Sequence, residues 1–111
     1  MSILQVVLVS NVLSLLVSPN PVNAATPRGN TLNVNVTGTP SQSGGTYLWS
    51  WVSGGVDINI VNSASQTCTL SSTTTVGALP ILRTGVLRCT YTLGALVKVQ
   101  DVNVTFSFEV L

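Results

Sequence analysis

The chain has 111 residues, the length of one domain able to bury its own core. Charged residues make up 6% of it, against roughly 25% in an ordinary soluble protein, while 45% are apolar. The net charge of +1 comes from Arg28, Arg83, Arg88 and Lys98 against Asp57, Asp101 and Glu109, with no run of either sign, so the clustered cations that nucleic-acid binding requires are missing.

Polarity is supplied by Ser, Thr and Asn, which hydrogen-bond without the desolvation cost of a full charge and suit lasting contact with protein. Valine is the commonest residue and threonine is abundant. Both are β-branched types that fit a pleated sheet, and the class expected is all-β.

The first segment, Ile3 to Val17, is apolar with breaks at Gln5, Ser10, Asn11 and Ser14. It is too short and too interrupted to cross a bilayer as a helix, which needs about 20 residues, so no membrane partner is expected. A secretory leader is the rival reading. Val22, Asn23, Ala24 and Ala25 resemble a cleavage site and would place the mature start near Ala25, but the positively charged start of a leader is absent. Ile3, Leu4, Val6, Val7, Leu8 and Val9 are apolar at odd and even positions alike, so a strand here needs cover on both faces. That cover comes either from its own sandwich or from a neighbouring subunit clasped by an extended arm. The expected organisation is residues 1–18 as apolar arm or first strand, 19–30 as a Pro-, Asn- and Ala-rich linker, and 31–111 as the sandwich.

From Leu32 the alternation is clean: Leu32, Val34 and Val36 face one way and Asn33, Asn35 and Thr37 the other. After turn signals in Gly38 to Gly45, Thr46 to Val52 forms a strand with Tyr47, Trp49 and Trp51 on one face, ended by Gly54 and Gly55. Val56, Ile58 and Ile60 alternate again, and Thr67 to Leu70 gives a short strand before a Ser and Thr tract. Leu87, Cys89, Tyr91 and Leu93 line one face of Gly85 to Leu93. Beyond a turn at Gly94, Val97 to Val110 alternates through Val102, Val104, Phe106 and Phe108 to complete a hairpin. Some seven short strands at about ten-residue spacing predict two antiparallel sheets packed face to face, immunoglobulin-like in pattern.

Catalytic chemistry is scarce. The chain has no histidine, which removes the commonest general base and the commonest metal ligand together. Two cysteines cannot complete a zinc site, and the three acids are far apart in sequence with no calcium-loop spacing. No enzymatic activity, metal or cofactor is expected. Cys68 and Cys89 permit a disulfide without demanding it. Trp49 and Trp51, two apart on a strand, could form a sugar-binding platform. The favoured reading makes Trp49 a core keystone with Leu87, Cys89, Tyr91 and Phe106, and leaves Trp51 as rim or interface. Asn35-Val36-Thr37 and Asn103-Val104-Thr105 match the glycosylation acceptor pattern, which arises readily by chance in a chain this rich in Asn and Thr.

Tyr47-Leu48-Trp49-Ser50-Trp51-Val52-Ser53-Gly54 and Gly85-Val86-Leu87-Arg88-Cys89-Thr90-Tyr91-Thr92, with a Ser and Thr tract between them, resemble the Ig-like domains of tailed-bacteriophage virion proteins. Val17-Ser18-Pro19 and the Leu32 to Thr37 strand extend the likeness over most of residues 17–111. Two features depart from the family pattern: Leu93-Gly94-Ala95 replaces its polar turn, and the apolar start is additional. Immunoglobulin domains join two cysteines with the tryptophan between them in sequence. Here both cysteines follow Trp49, so that pairing does not carry over. The resemblance implies a free-standing module that decorates a capsid, binding the major capsid protein as a small cyclic oligomer such as a trimer. Its place would be the virion surface, after assembly in the host cytoplasm, with Ile3 to Val9 and Trp51 as interface candidates. The alternatives are a tail or fibre module contacting host glycans and a secreted Ig-like adhesion domain.

Overall fold

The computed structural model describes residues 12–74 and 81–109. Within them the alternating segments form eight strands: β1 (Leu15–Ser18), β2 (Val22–Pro27), β3 (Thr31–Pro40), β4 (Thr46–Gly54), β5 (Asn59–Val61), β6 (Thr67–Thr73), β7 (Ile81–Leu93) and β8 (Leu96–Glu109). They make two four-stranded sheets, ordered β1-β3-β6-β5 and β2-β8-β7-β4. The pairings are antiparallel except for β2 with β8, which is parallel. Two sheets of this order, with the third and seventh strands of the chain on opposite layers, define an immunoglobulin-like sandwich.

The longest pairing is the hairpin of β7 and β8, in register from Ile81↔Phe108 to Leu93↔Leu96. Gly94 and Ala95 form its loop. Gly94 has φ +59° and is the first of the two loop residues, the geometry whose twist matches that of the flanking strands and that only glycine adopts without strain.

Side chains alternate across each strand, and the inward set forms one core. Trp49 is 2% exposed, and Leu87, Cys89, Tyr91 and Phe106 are fully buried, so all five expected keystones lie between the sheets. Val22, Val36, Leu70, Val102, Val104 and Phe108 complete the layer. At one end the Tyr91 hydroxyl accepts from the Gly45 amide at 2.8 Å and donates to the Gln42 carbonyl at 2.6 Å, tying the β3–β4 loop to β7. A Cβ on Gly45 would lie 2.7 Å from the Tyr91 ring and 2.2 Å from the Thr92 carbonyl, so this approach requires glycine. At the other end Arg83 points inward from β7 and crosses the gap between layers. Its guanidinium donates to Ser72 Oγ at 2.8 Å and to the Thr73 carbonyl at 3.1 Å, and lies 5.3 Å from the centre of the Phe108 ring.

Three expectations need correction. The segment expected as a linker, residues 19–30, carries β2. Its Asn, Ala and Thr residues give no strong pattern, but β8 supplies partners from Val22↔Val104 to Pro27↔Glu109, and tertiary pairing outweighs weak local preference. The end of the expected arm is likewise part of the sandwich. Leu13, Leu15 and Val17 are buried, and β1 pairs with β3. The first edge strand is thus divided, passing from one sheet to the other across the cis-proline pair Ser18-Pro19 and Asn20-Pro21, which raises the strand count from about seven to eight. Val56, Ile58 and Ile60 do not share one strand face: Val56 and Asp57 form a turn in which Asp57 has φ +62°, Val56 is exposed and Ile58 is buried. Ile3, Leu4, Val6, Val7, Leu8, Val9 and Val110 lie outside the described residues.

The middle of β4's free edge is shaped by what crosses it. The Trp49 amide donates to the Ser63 carbonyl at 2.8 Å, and the indole Nε1 donates to the Ser65 carbonyl at 2.8 Å. The β5–β6 loop therefore lies over the middle of an edge that carries no proline or charge of its own.

Candidate binding faces

Chemistry on this scaffold depends on what the two sheets turn outward. On β1-β3-β6-β5 the outward rows are Leu16 and Thr39; Ser18, Thr37 and Thr67; Asn35, Thr69 and Val61; Asn33, Ser71 and Asn59; and Thr31 and Thr73. Every outward position except Leu16 and Val61 is Ser, Thr or Asn, and none is charged. The hydroxyls pair across the strands. Thr37 and Thr67 lie 2.7 Å apart, Thr69 Oγ1 donates to Asn35 Oδ1 at 2.7 Å, and Thr31 bonds Thr73. Each such pair keeps unused donors and acceptors directed to the outside.

The opposite sheet turns out a different surface. Its rows across β4, β7 and β8 are Thr46, Thr92 and Val97; Leu48, Thr90 and Val99; and Ser50, Arg88 and Asp101. Leu48, Val97 and Val99 are 52%, 61% and 44% exposed. Arg88 holds Asp101 through two bonds, Nε to Oδ1 at 2.8 Å and Nη2 to Oδ2 at 3.1 Å. This pairing lowers the Asp101 carboxyl below its ordinary value and raises the Arg88 guanidinium.

The tryptophans do not form a platform. Trp49 is sealed in the core, and the Trp51 ring is half-buried against it. A Cβ on Gly55 would lie 2.2 Å from the Trp51 ring and one on Gly85 2.8 Å, so these glycines make the seat in which the indole rests. Beside that seat is a shallow depression of about 520 Å3 lined by Ser53, Gly54, Thr84, Gly85, Val86 and Asn103, with no titratable group in its wall. The β4 bulge between Trp51 and Ser53 shapes its rim.

Each acid has a partner of its own. Asp57 lies 3.9 Å from Arg83, Asp101 is held by Arg88, and Glu109 accepts from Ser107 Oγ at 3.1 Å. Asp101 and Glu109 lie eight residues apart along β8, on the order of 26 Å, far beyond the spacing of a glycosidic carboxylate pair. Among the described residues no group of His, Cys, Asp and Glu could hold a metal ion, and no helix is long and apolar enough to cross a membrane.

Cys68 and Cys89 are free thiols, both fully buried. Burial pushes Cys68 up to about 12, with Cys89 adding to the rise, and pushes Cys89 up to about 11. Opposite Cys89 on β3 stands Gly38, where a Cβ would sit 3.1 Å from Cys89 Sγ and 3.6 Å from the Trp49 ring. The inter-sheet cysteine of an immunoglobulin domain is therefore replaced by glycine, with the tryptophan still beside it.

No family model matches the chain, and no curated protein matches it. Among solved structures it is similar to the titin M3 domain, at 20% identity and TM-score 0.49 over 88% of this chain and 99% of that one. It is also similar to titin domain M7, at 12% identity and TM-score 0.45 over 92% and 99%. A third likeness is to a nucleoside hydrolase-related hypothetical protein from Saccharophagus degradans described as associated with carbohydrate metabolism, at 14% identity and TM-score 0.49 over 89% of this chain and 25% of that one. None of the three is described as a virion protein.

Proposed function

We propose that the chain is a non-catalytic structural module that attaches to a larger protein assembly and decorates a virion shell by binding its major capsid protein. The observation that carries this reading is the outer face of β1-β3-β6-β5, a sheet of hydroxyls and amides with no charge. Such a face gives up less hydration free energy than a charged one when covered and offers many hydrogen bonds to a fixed partner, which offset the loss. Two further features support it: the length of β8 between Asp101 and Glu109, far too great for those two to act as a carboxylate pair, and the resemblance at Tyr47 to Gly54 and Gly85 to Thr92. The glycan-binding alternative lacks the pair of exposed rings it would need, because Trp49 is buried.

Co-sedimentation with shells of a major capsid protein encoded beside this chain tests the proposal. Binding saturates at a fixed ratio and persists at about 1 M salt, because no ion pair holds the contact. Asn35→Lys, which puts a charge at the centre of the face, weakens binding at least tenfold. A chain that stays in the supernatant, or one released by salt, overturns the assignment.

A further inference from the structure

We propose that the outer face of the β7–β8 hairpin, with β4 at its rim, is a self-association surface, covered by a second copy of this chain about a two-fold axis. The occupant follows from the way the face complements itself. A two-fold axis lying in the interface and running along the strands between β7 and β8 keeps each row level while exchanging the two strands. Arg88 then meets Asp101 of the second copy, Thr90 meets Val99, and Thr92 meets Val97, because these residues are register partners within one chain. The only charges in the three rows thus fall opposite their complements, and Val97 and Val99 fall opposite threonine methyl groups. Arg88 and Asp101 are each 40% exposed in the single chain, so their outward edges are open to a second partner.

The surface brought together is that of the two longest strands, β7 and β8, roughly 10 Å by 43 Å and on the order of 400 Å2 in projection, with β4 at its rim, which is the size of a small, reversible interface. The edge-covering loop at Ser63 and Ser65 lies beside this face and not on it, so sheet can meet sheet without displacing it. The hydroxyl and amide face remains outward on both copies.

Sedimentation equilibrium of the full chain reads the result directly. The wild type gives twice the chain mass of 11.6 kDa, and Val99→Lys gives the single chain. Arg88→Asp alone and Asp101→Arg alone are each monomeric, because like charges meet across the axis. Their equimolar mixture recovers the double mass, since one chain then brings two carboxylates to the axis and the other brings two guanidinium groups. Circular dichroism and melting confirm that each variant is folded, and Asn35→Lys on the opposite sheet keeps the double mass. A wild-type chain that is monomeric at every concentration overturns the inference, as does a Val99→Lys chain that associates normally or a charge-swapped mixture that stays monomeric. Shell binding is measured separately, so loss of either activity leaves the other readable.

Discussion

Tyr91 is buried to the tip of its ring, and its hydroxyl satisfies two backbone groups of the β3–β4 loop at once. Tyr91→Phe keeps the ring contact with Tyr47 but leaves the Gly45 amide and the Gln42 carbonyl without that partner. The expected cost is about 1–3 kcal/mol, a fall in Tm on the order of 5–15 °C by thermal melting. Tyr47→Phe, which removes the half-buried hydroxyl of the neighbouring ring, serves as the control and shifts Tm far less. Arg83 shows the same logic at the other end of the core. It was not legible as a structural residue in the sequence, because its partners Ser72 and Thr73 and the Phe108 ring come from segments brought near only by the fold. Trp49 was legible, because its spacing from Tyr47 and Trp51 marks one face of a strand and the largest apolar side chains go inward. Trp51 was only half so, since the seat that receives its ring is built by the glycines of two other segments.

Among the elements, β3, β4, β7 and β8 could be read from stretches in which every second side chain is apolar or aromatic: Leu32 to Val36, Tyr47 to Trp51, Leu87 to Leu93 and Val102 to Phe108. β2 could not. Its side chains are small, the neighbouring Ala24 and Ala25 blur any alternation, and its hydrogen bonds come from β8, more than 80 positions further along the chain. The same limit hid the division of the edge strand between sheets. The link between β3 and β7 offers a direct test of the architecture. With a Cβ at Gly38 lying 3.1 Å from Cys89 Sγ, Gly38→Cys places a second sulfur within reach of an S–S bond. Oxidised Gly38→Cys is expected to gain about 2–4 kcal/mol over its reduced form, seen as a higher Tm that reducing agent abolishes. The reduced variant should melt below the wild type, because the new side chain crowds Trp49 and Leu15. A variant whose melting ignores reductant would mean that β3 and β7 do not face each other here.

For the molecule as a whole, the two buried thiols couple stability to alkaline pH. Their folded-state values, about 12 for Cys68 and about 11 for Cys89, lie above the ordinary 9.0, so the folded chain keeps protons that the unfolded chain gives up. The contribution is fully present below about pH 8 and is lost as pH rises from 9 through about 11 for Cys89 and about 12 for Cys68. Melting the wild type beside a Cys68→Ala, Cys89→Ala double variant should show the difference in Tm shrinking across that window. A difference independent of pH would remove the thiols from the alkaline limb.

The loop strapped across β4 bears on how so uncharged a molecule remains discrete. Open backbone along a strand invites endless lateral growth into fibres, and charged side chains that would discourage it are nearly absent here. At the middle of β4 the Ser63 carbonyl occupies the Trp49 amide and the Ser65 carbonyl holds the indole beneath it, so a strand arriving at that edge meets a loop in place of an open ladder, and obstruction does there what charge does elsewhere.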